Sequence, residues 1–496
     1  MDFSHLFITA AEAAQLIQDG HCIGVSGFAG AGNPKVVPAA LAEIARKKHE
    51  QGYPFKVSLI SGASTGYVVD GVLAEAEAIS YRSPYQSSAQ LRNEINKGRV
   101  SYQDMHLSSV SDDLRFGLLP AINVAIIEAA AISDEGELTL TTSGGNTPLL
   151  CQKAERIIIE LNEFHTPRLN EIHDIYKPEY EYDRRPIVVA SISSRIGSKT
   201  LTIDPAKIVA IVKTNCSDGI ADFKPNTEIT DAIGTNVVQF LEHEYLSGKM
   251  GTSFRPLQSG VGNIANSVLS CISRSEVIPP VSMYTEVAQD AVINLIKQGR
   301  CSFVSACSLT VSDKVLAEIY SNFDFYKEMI LIRPQEISNN PGICRQLGII
   351  SINTAIEVDI FGNVNSSHFY GTHMVNGIGG SGDFARNAAI SVFVCPSTTK
   401  NGAISAIVPM VAHTDHTEHD VKIIVTEYGV ADLRGKSPRE RAACIIENCA
   451  HPDYRELLWR YLSLNQEDGH TPHTLEKAFC LHTAYKVKGD MRLADI

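Results

Sequence analysis

The sequence predicts an α/β protein built as two related open α/β halves, and three observations carry that prediction. A capped helix, a short apolar strand and a glycine-rich loop follow one another at the front of the chain. The same order returns 279 residues later. A second echo then follows the first in both halves, and two matches in one order point to a duplicated unit. With 496 residues, 44% of them hydrophobic, the chain is too long for one core and suits two or three domains.

Thr9 and Glu12 form a Thr-x-x-Glu capping box for the first helix. Ala10, Ala13, Ala14 and Ile17 supply its apolar face, and Gly20 can stop it. Cys22-Ile23-Gly24-Val25-Ser26 reads as a buried strand running into Gly27-Phe28-Ala29-Gly30-Ala31-Gly32. In the repeat, Ile17 through Ser26 aligns with Ile296 through Ser305, and Leu41-Ala42-Glu43-Ile44 with Leu316-Ala317-Glu318-Ile319. The second echo pairs Ile127-Glu128 and Gly136-Glu137-Leu138 with Ile356-Glu357 and Gly362-Asn363-Val364. Between the halves a strand over 207–214 gives way to a polar stretch, 215–226, and then to an amphipathic helix over 227–246. The boundary is placed at 222, giving an N-terminal domain of residues 1–222 and a C-terminal domain of residues 223–496 that contains Glu286. The Tyr-, Pro- and charge-rich stretch 174–185 is expected to be a surface loop.

Composition removes several classes of function. Lys and Arg number 43 against 56 Asp and Glu, a formal net charge of −13, where a nucleic-acid binder needs a basic face. Trp459 is the only tryptophan, so no stacking platform for single strands is expected. No run approaches the roughly 18–20 apolar residues that span a bilayer, and the opening Met1-Asp2-Phe3-Ser4-His5 lacks a secretory signal. Eleven cysteines, with no Cys-x-x-Cys pair, fit a reducing cytoplasm. A small anionic ligand in a local pocket stays compatible with this balance.

Two glycine loops imitate the dinucleotide fingerprint, Gly377-Ile378-Gly379-Gly380-Ser381-Gly382 and Gly260-Val261-Gly262-Asn263-Ile264-Ala265. The fingerprint needs a strand directly before it. Pro256 makes Arg255-Pro256-Leu257-Gln258-Ser259 a poor central strand, so dinucleotide binding is not expected. The loops read either as tight turns or as exposed backbone N–H groups for an anion or oxyanion. His413, His416 and His419 form a cluster without a zinc-binding motif, and a hydrogen-bonded structural segment is expected there, not a metal.

Val281-Ser282-Met283-Tyr284 reads as a strand, and Ala288, Ala291, Val292, Leu295 and Ile296 as the apolar stripe of a following helix. Glu286 falls at the corner, near the positive end of that helix. A carboxylate there is ordinarily a first-turn acid or an N-cap.

Seven stretches give the residue more weight. Met283-Tyr284-Thr285-Glu286-Val287-Ala288-Gln289-Asp290, the loop Gly260 through Asn266, Pro334-Gln335-Glu336-Ile337-Ser338-Asn339-Asn340-Pro341, residues 376–383, Thr426-Glu427-Tyr428-Gly429-Val430-Ala431-Asp432-Leu433-Arg434-Gly435, residues 27–35 and Pro84-Tyr85-Gln86-Ser87 together resemble the acetyl-CoA hydrolase/transferase family, a branch of the family I CoA-transferases. The resemblance implies two related open α/β domains of the NagB/RpiA-like kind and a homodimer.

It also implies that Glu286 is the nucleophile of a ping-pong exchange through an acyl-glutamyl anhydride and a glutamyl-CoA thioester. The implied oxyanion donors are the backbone amides of Ile264 and Gly380 and the side-chain amide of Asn339. Glu427 is the implied second acid. Gly260, Val261, Gly262, Asn263, Ile264, Asn376, Gly380 and Lys400 match the CoA contacts, and Ser64 and Ser87 could line a carboxylate pocket.

No permanently bound cofactor is implied; acyl-CoA and a short carboxylate are the partners. Some relatives carry an arginine just after Thr214, where this chain reads Cys216-Ser217-Asp218-Gly219. The expected activity is succinyl-CoA:acetate exchange, with propionyl-, butyryl- or 4-hydroxybutyryl-CoA exchange, hydrolysis of a short acyl-CoA and non-catalytic CoA or nucleotide binding as the alternatives.

Overall fold

The computed structural model of the chain describes residues 3–178, 185–220, 225–251, 253–465 and 469–496. The first helix, Ala10–Gln15, begins at the predicted box: the Glu12 N–H meets Thr9 Oγ1 at 3.2 Å and the Thr9 N–H meets the Glu12 carboxylate at 2.8 Å. It stops earlier than expected. Gly20, at φ +80°, instead forms the turn into the sheet, its N–H on the Lys56 carbonyl.

The described residues group into two compact units. The first comprises Met1–Asp222, Ser282–Ile296 and Cys301–Leu347; the second comprises Phe223–Val281, Lys297–Arg300 and Gly348–Ile496. The boundary expected at 222 lies outside the described residues, as do positions 179–184 of the stretch expected to be a surface loop.

In the first unit Cys22–Val25 is buried at every position because it runs parallel to Val57–Ser61 on one side and to Val124–Ile132 on the other. A strand so enclosed has no solvent face and therefore reads as a continuous apolar run. Along Val124–Ile132, Val124 and Ile126 face one core, while Ala125, Ile127 and Ala129 face the other. The strand's far end turns back as an antiparallel hairpin with Glu137–Leu140.

The segment containing Glu286 belongs to this unit. Cys301–Ala306 lies between Val281–Tyr284 and Ile330–Ile332 in a sheet. Bridges from Ser143 to Ser308, Gly145 to Pro334 and His173 to Ile332 join these strands to the N-terminal half. So does a fully buried ion pair between Arg333 and Asp174. A Cβ on Gly144 would lie 2.4 Å from the Arg333 carbonyl oxygen, so only glycine lets the two backbones run this close.

In the second unit Leu257–Ser259, Ile350–Thr354, Ile390–Val394 and Ile423–Thr426 form a parallel sheet in that order, closed by antiparallel Gly429–Asp432. Helix Glu228–Leu246 packs on helix Asn263–Arg274, where Gly234 allows the approach: a Cβ there would lie 2.9 Å from Ser267 Oγ.

Both echoes fall on matching elements. Leu41–Ile44 and Leu316–Ile319 lie in the helices Val36–Glu50 and Asp313–Ser321 that follow the repeated strand. The second echo forms an antiparallel hairpin in each half, turned by left-handed Gly136 and Gly362. Among the described residues no helix is long and apolar enough to cross a membrane.

Candidate active site

Candidate residues collect where parallel strands end, the edge at which open α/β sheets bind ligands. In the first unit Glu286 follows Val281–Tyr284, Cys307 follows Cys301–Ala306, and Asn339 follows Ile330–Ile332 after one short helix. Gly27, Ser64 and Ser87 likewise follow Cys22–Val25, Val57–Ser61 and Ile79–Ser83.

Glu286 is half-buried. Its carbonyl accepts the N–H groups of Cys307 and Ser308 at 2.8 and 3.0 Å, and the preceding Thr285 N–H reaches the Ser305 carbonyl. The Asn339 side-chain amide donates to Glu286 Oε1 at 2.5 Å. Asn339 is fully buried, and the Ser338 hydroxyl donates to its Oδ1 at 2.9 Å. Because that oxygen already accepts from Ser338, the NH₂ group is the end turned toward Glu286.

The helix carrying this pair, Gln335–Ser338, is itself tied down. Gln335 donates its N–H to the Gly145 carbonyl and its Nε2 to the Leu107 carbonyl, both at 2.8 Å, and the Tyr284 hydroxyl donates to the Ile337 carbonyl.

The expected helix-dipole setting for Glu286 does not occur. The helix starts at Asp290, and Val287–Ala288 first pairs with Ser308–Leu309 as a two-stranded ladder. Asp290 is the true first-turn acid; its carboxylate accepts the Ser312 N–H and hydroxyl at 2.9 and 2.7 Å.

An apolar wall flanks the carboxylate's segment. Phe28, Ala63 and Leu107 pack on Val287 and Cys307, with Ala29 and Tyr85 against them. This wall brings the front motifs to the Glu286 segment. Beside it, Ser64 Oγ accepts the Ser87 hydroxyl at 2.6 Å and the Ser87 N–H at 3.1 Å, so the two serines sit together. Burial, reinforced by the Glu286 charge, pushes the Cys307 thiol far above its usual range and keeps it protonated at neutral pH.

The second unit presents its candidates on the same kind of edge. Leu257–Ser259 is a strand, contrary to the expectation drawn from Pro256, which stands just before it and offers only a carbonyl to Ile350 N–H. Gly260 through Gly262 therefore turn a strand directly into helix Asn263–Arg274, with Gly262 at φ +112°. Ile264 is the second residue of that helix, so its N–H is one of the leading amides that lack an acceptor within the helix.

Gly380 precedes the short helix Ser381–Ala385 after left-handed Gly379, and Asn376 lies in the bend before it. Glu427 follows Ile423–Thr426 and accepts the Ser397 N–H and hydroxyl at 2.8 and 2.6 Å. Lys400 is exposed at the tip of the hairpin Thr398–Thr399/Ile404–Ser405.

In the histidine cluster, His413 stacks on His368 at 3.9 Å and faces Asp415, while His416 Nε2 lies 3.0 Å from the Ser381 hydroxyl.

Comparison with known proteins gives the family. The N-terminal domain of the acetyl-CoA hydrolase/transferase family matches residues 1–213, and its C-terminal domain matches residues 316–462. Across nearly the whole chain, the sequence is 46% identical over 484 residues to propanoyl-CoA:succinate CoA transferase of Escherichia coli, covering 98% of each. The chain belongs to the acetyl-CoA hydrolase/transferase family. It is equally 46% identical over 487 residues to succinyl-CoA:acetate CoA-transferase of Clostridium kluyveri, covering 98% of this chain and 90% of that protein. Acetyl-CoA hydrolase of Schizosaccharomyces pombe is 39% identical over 509 residues, covering 99% and 97%. The crystal structure of RipA from Yersinia pestis shares the fold at 20% identity with a TM-score of 0.69, over 93% of this chain and 98% of that one.

This acetyl-CoA hydrolase/transferase family enzyme also contains supports that sequence reading missed. Arg115 forms a two-pronged ion pair with Glu336, 221 residues away, on the helix that carries Asn339. Asp218, in the stretch that replaces the arginine of some relatives, accepts the Gly32 N–H and Lys35 Nζ, both at 3.1 Å, and the Thr142 hydroxyl at 2.5 Å. Lys35 also bonds Glu128, which accepts from Thr141 and Asn162 at 2.7 Å. Burial opposes the Lys35 charge, but Glu128 and Asp218 outweigh it and hold its pKa up at about 12.

Glu128, His165 and Asp218 bring their ligating atoms within 4.8 Å of one another. The Lys35 ammonium supplies the positive charge at the two carboxylates. The one available signal was the repeated Ile-Glu of the second echo, since Glu128 and Glu357 are both buried and hydrogen-bonded.

Proposed function

We propose that the enzyme is a CoA-transferase exchanging CoA between a short acyl-CoA and a carboxylate, with succinyl-CoA and acetate as the pair. The observation that carries this reading is the Glu286 carboxylate held by the Asn339 amide at the strand ends, beside an apolar wall and a thiol kept neutral. Glu286 attacks the thioester carbonyl and expels the CoA thiolate, leaving an acyl-glutamyl anhydride. The thiolate then attacks the glutamyl carbonyl, releases the first acid as a carboxylate and leaves a glutamyl-CoA thioester. The incoming carboxylate reverses both steps.

Every nucleophile and every leaving group in these steps is a carboxylate or a thiolate, so no proton changes hands and no general base is needed beside Glu286. Each tetrahedral intermediate needs donors for its oxyanion. Asn339 supplies one, and the backbone amides of Ile264 and Gly380 supply the others. Glu427 positions the substrate, CoA runs along residues 260–263, Asn376 and Lys400, and Ser64 and Ser87 meet the acid. CoA is a substrate here, with no resident cofactor in the cycle. The reduced, mostly buried cysteines support a cytoplasmic site of action.

The acid pair rests on the two transferases at 46% identity. Hydrolysis, the activity named in the Schizosaccharomyces relative, is the second reading, because water in place of the second acid would discharge the same intermediate. Intact-protein mass spectrometry after mixing with succinyl-CoA tests both. A CoA-sized adduct on Glu286 that acetate discharges faster than water supports transfer. Equal discharge by water favours the hydrolase, and turnover without any adduct defeats the glutamyl-CoA route.

A further inference from the structure

The histidine segment of the second unit contains one residue that no role given above uses. His413 is half-buried and His419 exposed, but His416 is only 3% exposed and is held on two sides. Its backbone pairs with Val364 on the hairpin of the second echo, its N–H on the Val364 carbonyl at 3.0 Å and its carbonyl on the Val364 N–H at 2.8 Å. Its imidazole lies against the Phe393 ring at 4.7 Å, and Phe393 is fully buried in the interior strand Ile390–Val394. The neighbouring Asp415 fixes the same region, accepting the Ser366 N–H at 2.6 Å and the Ser367 hydroxyl at 2.7 Å. The ring is therefore a fixed point in this part of the fold.

What His416 Nε2 meets is the Ser381 hydroxyl, at 3.0 Å. Ser381 Oγ donates its own proton to the Ile378 carbonyl at 2.7 Å, and the Ser381 N–H reaches the same carbonyl at 3.3 Å. With that proton committed, Ser381 Oγ is an acceptor toward the ring, so Nε2 carries the hydrogen. Hydrogen bonds thus run from Nε2–H to the Ser381 hydroxyl and on to the Ile378 carbonyl, and they close a four-residue turn.

The two inner residues of that turn are Gly379, at φ +57°, and Gly380, at φ −93° and ψ 0°. Such a turn is closed by the carbonyl of its first residue and the N–H of its fourth, so the amide of its third residue takes no part in the closure. That third residue is Gly380. Two adjacent glycines leave a turn soft, because neither has a side chain to restrict its backbone. Ser381 is the first residue after them with a side chain to grip, and His416 grips it.

We infer that His416 is a positioning residue for the transfer reaction: through Ser381 it fixes the direction in which the Gly380 N–H points. This rests on the proposed role of that amide as an oxyanion donor, and it adds the group that aims it. Aim decides what such a donor contributes, since a displacement of about 1 Å can cost about a hundredfold in rate. His416 needs no contact with substrate in this role.

The test is a double-mutant cycle of His416→Met and Ser381→Ala in the full chain, assayed with succinyl-CoA and acetate. Methionine fills the buried space but has no N–H, and Ser381 is only partly buried, so truncating its hydroxyl spares the core. Each single variant is expected to lower kcat about tenfold to a hundredfold and kcat/KM for succinyl-CoA by the same factor, the signature of a contact made only in the transition state. The double variant should be no slower than the slower single one, because both changes break one chain of hydrogen bonds. His416→Gln, which presents an N–H at the end of its side chain, should recover most of the rate.

A Ser381→Ala variant with the wild-type rate overturns the inference. So do losses that multiply in the double variant, a loss confined to KM, or a His416→Gln variant no faster than His416→Met. The rate of glutamyl-CoA adduct formation, followed by mass spectrometry, separates this role from the proposed function. If wild type forms the adduct and both single variants form it as fast, the positioning role falls and the proposed function stands. If wild type turns over with no adduct, the glutamyl-CoA route falls and takes this role with it.

Discussion

Replacing Asn339 tests the site at its centre. The residue is fully buried, donates to Glu286 Oε1 at 2.5 Å, and is oriented by Ser338, so Asn339→Ala removes one aimed donor without touching the carboxylate proposed as nucleophile. Removing an oxyanion donor costs about 2.7–4 kcal/mol of barrier. Part of that is returned if the same bond also stabilises the resting carboxylate, where a hydrogen bond to a charged group is worth about 1.5–3 kcal/mol. The net loss is then about 1 kcal/mol if the bond is equally present in the resting state and up to about 4 kcal/mol if it is not, so kcat/KM should fall between about fivefold and a thousandfold.

Asn339→Asp keeps the shape and changes only the charge. Two carboxylates about 4 Å apart or closer repel by about 4 kcal/mol at the effective dielectric of partly buried sites. The introduced carboxyl therefore holds its proton to higher pH than an ordinary carboxylic acid does. Protonated, it can donate to Glu286 as the amide does; ionised, it cannot. Activity of Asn339→Asp should rise as pH is lowered toward 5 relative to wild type, while Asn339→Ala shows no such recovery. Steady-state kinetics with succinyl-CoA and acetate across pH 5–8, on variants whose melting is within a few degrees of wild type, supplies the comparison. The reasoning fails if Asn339→Ala loses less than threefold, or if Asn339→Asp equals wild type at pH 8.

Two further outcomes follow from the same structure. Arg115→Met leaves Glu336 without its partner in a largely buried position, and the denaturation midpoint should drop by the equivalent of about 3 kcal/mol; a change below about 1 kcal/mol would show that the pair does not hold the Asn339 helix. His173 is fully buried with its Nε2 on the Thr141 carbonyl, and burial lowers its pKa to about 4. The unfolded chain takes up that proton near its ordinary value, so stability falls as pH drops from about 6.5 to 4, by about 2–3 kcal/mol from this residue. The gap in melting temperature between wild type and His173→Gln should therefore narrow on acidification, and a gap that widens or stays constant would contradict the assignment.

Much of the candidate site can be read from the chain alone because its determinants are local. The Thr9–Glu12 box, the buried run at Cys22–Val25 and the glycine turn before Ile264 lie within a few residues of what they control. The echo of Ile127-Glu128 in Ile356-Glu357 marks matching hairpins for the same reason. Local logic also misled. Pro256 seemed to forbid a strand but stands just outside it, and the helix after Glu286 starts at Asp290 because Val287–Ala288 is claimed by Ser308–Leu309, a partner that no local pattern announces.

Sequence by itself determined the element types, the family and the identity of the carboxylate at the strand end, since propensity, capping and motif spacing act along the chain. Tertiary structure alone decided which buried polar groups meet. Asn339 reaches Glu286 across 53 residues, Arg115 reaches Glu336 across 221, and Lys35 lies between Glu128 and Asp218. These pairings form because parallel strands from distant parts of the chain end on one edge, and a buried charge or amide must then find its partner among whatever that edge brings near.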